Sequence, residues 1–303
     1  MEFKLQYFET FLKYTKLLLP YFFIALLVLE AIYFLVRLHK YKKSETFINL
    51  LTGVISILAQ SILKIFFFTN IYPKVYSHRI FDIPLGWHQV FITLFIYTFL
   101  QWFIHLLAHK VRFFWCLHEV HHSATQMNVT TGLRTSIFDL VSLEMMYLLI
   151  PLFGFHYIFY FFFYSINKFW GSFIHLNEKL VGNIPILKYI LVTPAGHHLH
   201  HARNIPYLDK NYGELVPWFD YLFKTYQKEA IEKIEYGTLK IIKEIGFWES
   251  QTHEFKSLWS DMKSTNNYFH KLFYVFMPPG WEPGSFEQTA NNLQRDYYES
   301  RKI

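Results

Sequence analysis

The stretch LHEVHHSATQ, beginning at Leu117, holds His118, His121 and His122 within five positions. An isolated pair of histidines is ordinary surface or helix-cap chemistry, yet of sixteen histidines eleven fall between residues 105 and 201: His105, His109, His118, His121, His122, His156, His175, His197, His198, His200 and His201. His105 and His109 are four apart, so on a helix they share one face. His118, His121 and His122 follow an i, i+3, i+4 pattern, which sets one imidazole a turn below two neighbours. His197, His200 and His201 repeat it. Those boxes offer eight ligands, and His175 in FIHLNE offers a ninth. Four ligands complete a tetrahedral structural zinc, so eight or nine imply two metals. Neutral imidazole suits zinc, copper, iron and nickel, and the lack of clustered thiolates disfavours iron–sulfur chemistry. Soluble di-iron bundles use Glu and Glu-x-x-His. Here histidine would replace carboxylate almost wholly, which suits a dinuclear iron centre that activates oxygen and also suits dinuclear zinc.

The other histidines read differently. His198 points about 100° away from its box neighbours by helix geometry, so it is expected to support them or to face solvent. His156, His39, His78, His88, His253 and His270 are scattered and read as ordinary. Glu30 and Glu144 are charged groups inside apolar segments, and such groups are functional suspects by default. Cys116 is the single cysteine, so it forms no internal disulfide and receives no role.

Hydrophobic residues make up 52% of the 303 residues and aromatics 21%, values that point to a membrane. LLLPYFFIALLVLEAIYFLV, from Leu17 to Val36, meets the length of about 20 residues that a hydrocarbon core requires. It is too long for a signal peptide, lacks a small-residue cleavage site and runs straight into RLHKYKK. Further apolar regions cover 47–69, 87–107 and 137–174, the last long enough for two helices meeting at Pro151 and Gly154. About five membrane segments result. The fold class expected is all-α: an integral membrane helical bundle with a cytosolic cap of histidine boxes. Arg37, Lys40, Lys42 and Lys43 follow the first segment as cytoplasmic residues tend to, and counting segments from there brings every box to the cytoplasmic face. Co-location of the boxes survives an inverted orientation. Attraction to anionic lipid accounts for the net charge of +6, and with no zinc-finger, RNA-binding or helix-turn-helix signature, nucleic acid is not an expected partner. Residues 1–225 read as the membrane-embedded domain. Residues 226–303 read as a cytosolic helical appendage under the site, with KEAIEKIEYGTLKIIKEI a surface helix broken at Gly237.

These boxes carry a family pattern. H-x3-H at His105 and H-x2-H-H at His118 and at His197 resemble the fatty acid hydroxylase/sterol desaturase superfamily of integral-membrane di-iron oxygenases. HEVHHSATQMNVTTGLRTS, FIHLNEKLVGN, TPAGHHLHHARNIPYLDKNYGELVPWFDYLFKTY and the C-terminal FMPPGWEP look most like its alkylglycerol monooxygenase-type branch. The resemblance implies two iron ions held by His105, His109, His118, His121, His122, His175, His197, His200 and His201. Arg203, Asn204, Asp209 and Asn211 would then hydrogen-bond around the third box. Where that branch often has an acidic residue after the second histidine of the first box, this chain has Lys110.

The activity implied is an oxygen-dependent monooxygenase that hydroxylates a lipid C–H bond and, in this branch, cleaves the ether bond of alkylglycerols. Electrons would come from tetrahydrobiopterin, or from a cytochrome or ferredoxin as an electron-donor protein. The nearest alternative is a sterol or fatty acyl desaturase or hydroxylase built on the same centre. Two other classes are a metal transporter, whose ligands belong near the bilayer midplane, and a zinc hydrolase, which needs an open coordination position and a general base.

Overall fold

The computed structural model describes residues 3–37, 42–139, 144–182, 186–240 and 246–301. His39 and Lys40 lie outside the described residues, as does the side chain of Glu144. The described residues are helical, with two isolated bridges, Ala202 to Tyr236 and Glu282 to Ser285, and no strand.

Three rods are long and apolar enough to cross a membrane. The first is α1, Gln6–Val36. The second is α2, Lys43–Phe66, which runs through a π turn, Phe67–Ile71, into α3, Tyr72–Ser77. Pro73 has no N–H and its ring crowds the preceding turn, and the widened π register immediately before it relieves that conflict. The third is α4, Trp87–Lys110. Leu17, Val28, Ile62 and Phe91 are all more than half exposed on these rods. That surface is costly in water and costs nothing against lipid tails.

Of the two segments expected over 137–174, the first is described at 137–139, which is not helical, and from residue 144 on, as a 3-10 turn, Glu144–Leu148, and the short α6, Leu149–Leu152. The chain does turn at Pro151 and Gly154, the latter at φ 97°. It continues as α7, Tyr157–Ile174, packed on α1 and α4. Phe8, Tyr97, Phe159 and Phe163 share the core there.

Glu30 is fully buried. Its carboxylate accepts from Val129 N (2.9 Å) and Asn177 N (2.7 Å), so it ties α1 to the loops after the second box and after His175. The suspicion of a functional charge gives way to an anchoring one: two backbone donors need an acceptor, and this carboxylate supplies it.

α5, Arg112–His122, begins one residue after α4 ends. Val111 between them is extended, at φ −117° and ψ 116°, and this single break turns the second box back toward the first. Beyond α7 come α8, Glu178–Val181; α9, Pro194–His200; and α10, Trp218–Leu222. The appendage holds α11, Phe247–Lys263; α12, Tyr268–Phe276; and α13, Ala290–Glu299. Arg112 fastens α5 to it through Glu254 (3.0 Å) and Asp261 (2.6 Å), above an apolar cluster of Cys116, Leu258, Tyr274 and Trp281.

The surface helix expected over 228–245 is absent from its described part, 228–240, which is an irregular strap. Its backbone is engaged elsewhere. The Ile231 and Glu232 amides donate to Tyr207 Oη (both 2.7 Å), Glu235 N donates to Asn204 Oδ1 (2.8 Å) and Arg203 N donates to Glu235 O (2.8 Å). Tertiary partners take the groups that a helix would have paired internally.

Candidate metal centre

The three boxes and His175 meet at one place. The first box occupies the last two turns of α4, and the second forms the last turns of α5. The third lies on α9, whose N-terminus has Thr193 as cap (Gly196 N to Oγ1, 3.3 Å), Pro194 in the first turn and His201 at the far end. His175 caps the C-terminus of α7.

The nine histidines sort into two groups. His105, His109, His118, His122 and His200 form one; His121, His175, His197 and His201 form the other. In each, the ring nitrogens lie within 4.8 Å of one another. His122 and His201 stack across the boundary with centroids 4.5 Å apart, so the groups are immediate neighbours. Helix facing explains the division of the second box: His118 and His122 are one turn apart and go together, while His121 leans the other way.

Ring nitrogens on the outside are held by acceptors. His105 Nδ1 meets the carbonyl of Tyr212 (2.7 Å), His121 Nδ1 that of Arg134 (3.0 Å), His175 Nδ1 that of Gly171 (2.6 Å) and His200 Nδ1 that of Lys210 (2.8 Å). A carbonyl only accepts, so each Nδ1 carries the proton and each Nε2 is left with a lone pair. Those lone pairs point inward: Nε2 to Nε2 distances are 2.9 Å for His105 and His118, 3.1 Å for His118 and His122, 3.3 Å for His121 and His175, 3.0 Å for His175 and His197, and 3.1 Å for His197 and His201. Two nitrogens bound to one ion at about 2.1 Å, at angles from about 90° to about 110°, lie about 3.0–3.4 Å apart. The Nε2 atoms of His109 and His200 are buried with no hydrogen-bond partner, the expected condition of a ligand atom and a costly one otherwise. Burial, reinforced by neighbouring imidazoles, pushes His118, His122, His197, His200 and His201 well below the usual histidine range. It takes His121 down to about 4. Neutral imidazole is the ligating form. Donor type, protonation and spacing therefore fit a pair of metal ions.

The supporting residues partly depart from expectation. Asp209 Oδ1 lies 3.4 Å from His109 Nδ1, and Oδ2 pairs with Lys110 (2.6 Å). Burial alone would raise its carboxyl, but His109 and Lys110 hold it below the usual range. Asn211 binds α9 through Gly196 O (3.0 Å). Both residues have positive φ, 57° and 56°, which Asp and Asn tolerate, and the turn they make aims the Lys210 carbonyl at His200. Asp220 in WFDYLF accepts from the amides of Tyr212 and Gly213 and from Trp102 Nε1, bracing the same turn against α4. Arg203 and Asn204 instead hold the 228–240 strap, through Glu235 and Glu232, and touch no box histidine. The strap, itself unforeseen, is what claims them.

His198 is buried, not solvent-facing. Its Nε2 meets the Leu176 carbonyl (2.9 Å) and must donate, so its Nδ1 accepts from Tyr236 Oη (2.8 Å) and no lone pair remains. His156 caps the start of α7, where Nδ1 accepts from Ile158 N (3.2 Å). Cys116 is buried and burial raises its thiol, consistent with an inert side chain. Arg134, fully buried, went unnoticed in the sequence. Its guanidinium binds Val120 O, Ser123 Oγ and Asn49 Oδ1 while its carbonyl receives His121, so it locks the second box in place. The only sequence signal for it is a lone arginine in the uncharged run TTGLRTS.

Residues 90–225 match the fatty acid hydroxylase family. The chain is 29% identical over 280 residues to alkylglycerol monooxygenase of Homo sapiens, covering 89% of this chain and 60% of that protein. It is 32% identical over 210 residues to alkylglycerol monooxygenase of Xenopus tropicalis, 67% of this chain and 44% of the relative. An alternative squalene epoxidase of Phaeodactylum tricornutum is 28% identical over 160 residues, 50% of this chain and 44% of that protein. The chain thus spans about half the length of the curated relatives it matches. No solved structure matches it.

Proposed function

From the premise of a fatty acid hydroxylase domain at residues 90–225, we propose that the chain is a membrane-bound di-iron monooxygenase that inserts one atom of O2 into a lipid C–H bond. The observation that carries this reading is the pair of adjacent histidine groups, five and four strong, with inward Nε2 atoms. His105, His109, His118, His122 and His200 would hold one iron and His121, His175, His197 and His201 the other. When bound, the irons supply the redox chemistry that reduces O2 by two electrons beyond those taken from the substrate. The chain's own part is to orient and insulate. Carbonyls of Tyr212, Arg134, Gly171 and Lys210 fix four rings, and Asp209 steadies a fifth. A donor set made almost wholly of imidazole in two adjacent groups, and relatives named for oxygenation, favour this reading over a zinc hydrolase. Ligands drawn from the ends of α4, α5, α7 and α9 do not resemble the midplane site of a transporter.

The likeness to alkylglycerol monooxygenases points to an ether lipid with a free glycerol-type head. A C–H beside an ether oxygen is weakened, because the oxygen lone pair stabilises a carbon radical. Hydroxylation there gives a hemiacetal that collapses to aldehyde and alcohol, so cleavage needs no hydrolytic residue. Five membrane segments, with 1–225 as the embedded domain and 226–303 as a cytosolic cap, would let the alkyl chain enter from the bilayer and leave the head near cytoplasmic water. Tetrahydrobiopterin, or a cytochrome or ferredoxin, would donate electrons. The test is incubation of iron-loaded protein with an alkylglycerol, O2 and tetrahydrobiopterin, with fatty aldehyde the expected product. Hydroxylation of a sterol or acyl lipid with a protein donor, and no aldehyde, would move the chain to another substrate class on the same centre.

A further inference from the structure

The appendage turns apolar side chains outward. On α12, Tyr268, Phe269, Leu272, Phe273 and Phe276 are exposed, from 39% for Phe273 to 73% for Tyr268. At about 100° per residue these five fall within about 140° of arc. Tyr274, the buried residue of this helix, points the opposite way and packs with Cys116, Leu258 and Trp281. On α11, Trp248, Phe255 and Trp259 are seven and four residues apart and so share one face. Trp248 and Trp259 are more than half exposed. Phe255 between them meets the rings of Phe113 (6.4 Å) and Phe138 (5.9 Å), which are themselves exposed. An aromatic surface of this kind is costly in water and marks an interaction site.

What it adjoins says what covers it. Asp139, next to Phe138, accepts through its carbonyl from Gln60 Nε2 (3.2 Å). Gln60 lies on the second rod among Ile57, Leu58 and Ile62, all more than half exposed on its lipid side. Gln251 of α11 grips the same segment, accepting from Ile137 N (2.9 Å). Met277, directly after α12, accepts from Arg112 N (3.1 Å), two residues beyond the end of the third rod. The aromatic surface therefore continues the lipid side of one rod and meets another where it ends. Its charge is complementary to anionic headgroups. The acids of α11 are matched, Glu249 by Lys256 (2.6 Å) and Glu254 and Asp261 by Arg112. Lys263 lies over the Trp259 ring at 5.1 Å, and α12 carries Lys271 and no acid. Tryptophan, tyrosine and phenylalanine rimmed by lysine is the composition of a helix lying in a membrane interface.

We propose that α11 and α12 lie on the bilayer as an in-plane element. Their aromatic side chains enter the boundary between headgroups and acyl chains of the leaflet on the histidine side, with Lys263 and Lys271 among anionic headgroups. The appendage stays on that side of the membrane but rests on lipid instead of standing clear of it. Because Arg112 binds α11 through Glu254 and Asp261, this contact also fixes the depth at which α5, and with it the second box, sits. The proposal needs the rods to span and is independent of what the centre oxidises.

The experiment uses the full chain, with Cys116 replaced by serine, in vesicles of phosphatidylcholine and phosphatidylserine. Single introduced cysteines carry bimane, and quenching by iodide on both faces is compared with quenching by lipids that bear a nitroxide near the headgroup. Trp259→Cys, Phe269→Cys and Phe276→Cys should be quenched by the lipid and shielded from iodide. Glu229→Cys, on the strap, should show the reverse. The three replaced side chains are exposed, so their loss leaves the packing intact. Iodide quenching at positions 259 and 269 equal to that at 229, without lipid quenching, overturns the proposal, whether that face is bare or awaits a protein. So does shielding without lipid quenching that fades as protein is diluted in lipid, the mark of a second copy. Ile62→Cys, on the second rod, should be quenched by a nitroxide deep in the acyl chains. Failure there would remove the spanning reading itself, whereas failure at 259 and 269 with Ile62→Cys quenched removes only the surface contact.

Discussion

His105 Nε2 lies 2.9 Å from His118 Nε2 while His105 Nδ1 lies 2.7 Å from the carbonyl of Tyr212. The second contact determines what the first can be. With its proton committed to Tyr212, His105 turns a lone pair toward His118, and His118 Nε2 also faces His122 Nε2 at 3.1 Å. One proton on His118 can answer at most one of those lone pairs at a time. A cation among the three answers all of them.

The first prediction follows from that convergence. Protein extracted from membranes should carry two metal ions per chain, natively iron, by elemental analysis. Removing them should lower thermal stability markedly, since nine imidazoles, seven of them buried, would lose their partners. One ion per chain at full activity would contradict a centre of two. Zinc after overexpression would report the divalent affinity order more than the native ion.

The second prediction separates histidines that share a helix. His121→Ala and His200→Ala should each lower metal content and abolish turnover, because each removes an Nε2 whose tautomer is set by a carbonyl. His198→Ala should keep both metals, yet lose roughly 2–4 kcal/mol of stability, since Leu176 O and Tyr236 Oη are left without their partner. His156→Ala should retain metal and activity. Equal metal loss at His198 would mean that the third box is not the helical turn described.

Legibility in the sequence followed locality. The box spacings are helical repeats that α4, α5 and α9 realise within one or two turns, so shared faces could be read from residue numbers. The division into five and four depends on how α5 sits against α7 and α9, which no local pattern encodes. The carbonyls that set the imidazole tautomers are chemically anonymous, because Tyr212, Lys210, Gly171 and Arg134 offer the same atom. Arg203 and Asn204 looked like neighbours of the metal centre because they are close in sequence to His201, but a strap that arrives some thirty residues later occupies them. That strap carries charge at helical spacing and still forms no helix, tertiary hydrogen bonds having overridden its propensity. Three rods are apolar enough to span, whereas α7 carries Asn167 and Lys168, and so the count of five exceeds what length and apolarity establish.

The third prediction concerns Glu30. Glu30→Ala should destabilise the protein by about 2–6 kcal/mol, because the Val129 and Asn177 amides, both next to segments that carry box residues, would be left buried and unpaired. Glu30→Gln retains one acceptor and should lose about half as much. Thermal unfolding in detergent with metal content followed in parallel checks this. A Glu30→Ala protein as stable as the wild type but inactive would return Glu30 to a functional role.

The fourth prediction places the centre relative to the membrane. Lys42, just before α2, meets the loop after the second box, its amide 2.9 Å from Gln126 Oε1 and its Nζ 2.5 Å from Thr125 Oγ1. Lys42 therefore lies at the same end of the rods as that loop. Asp82, in the connection between the second and third rods, lies at the far end of both and is exposed. With Cys116 replaced by serine, single cysteines at Ser44, Glu229 and Asp82 can be labelled in sealed vesicles by a reagent that does not cross lipid. Ser44→Cys and Glu229→Cys should react alike, and Asp82→Cys should react only from the opposite side. Under the cytoplasmic reading, the first two are labelled in inverted vesicles and the third in right-side-out ones. Opposite labelling of positions 44 and 229 would separate the appendage from the box loops and break the arrangement. Reversal of all three together would invert the orientation and leave the assembly of the nine histidines intact, because rods that cross together carry their ends together.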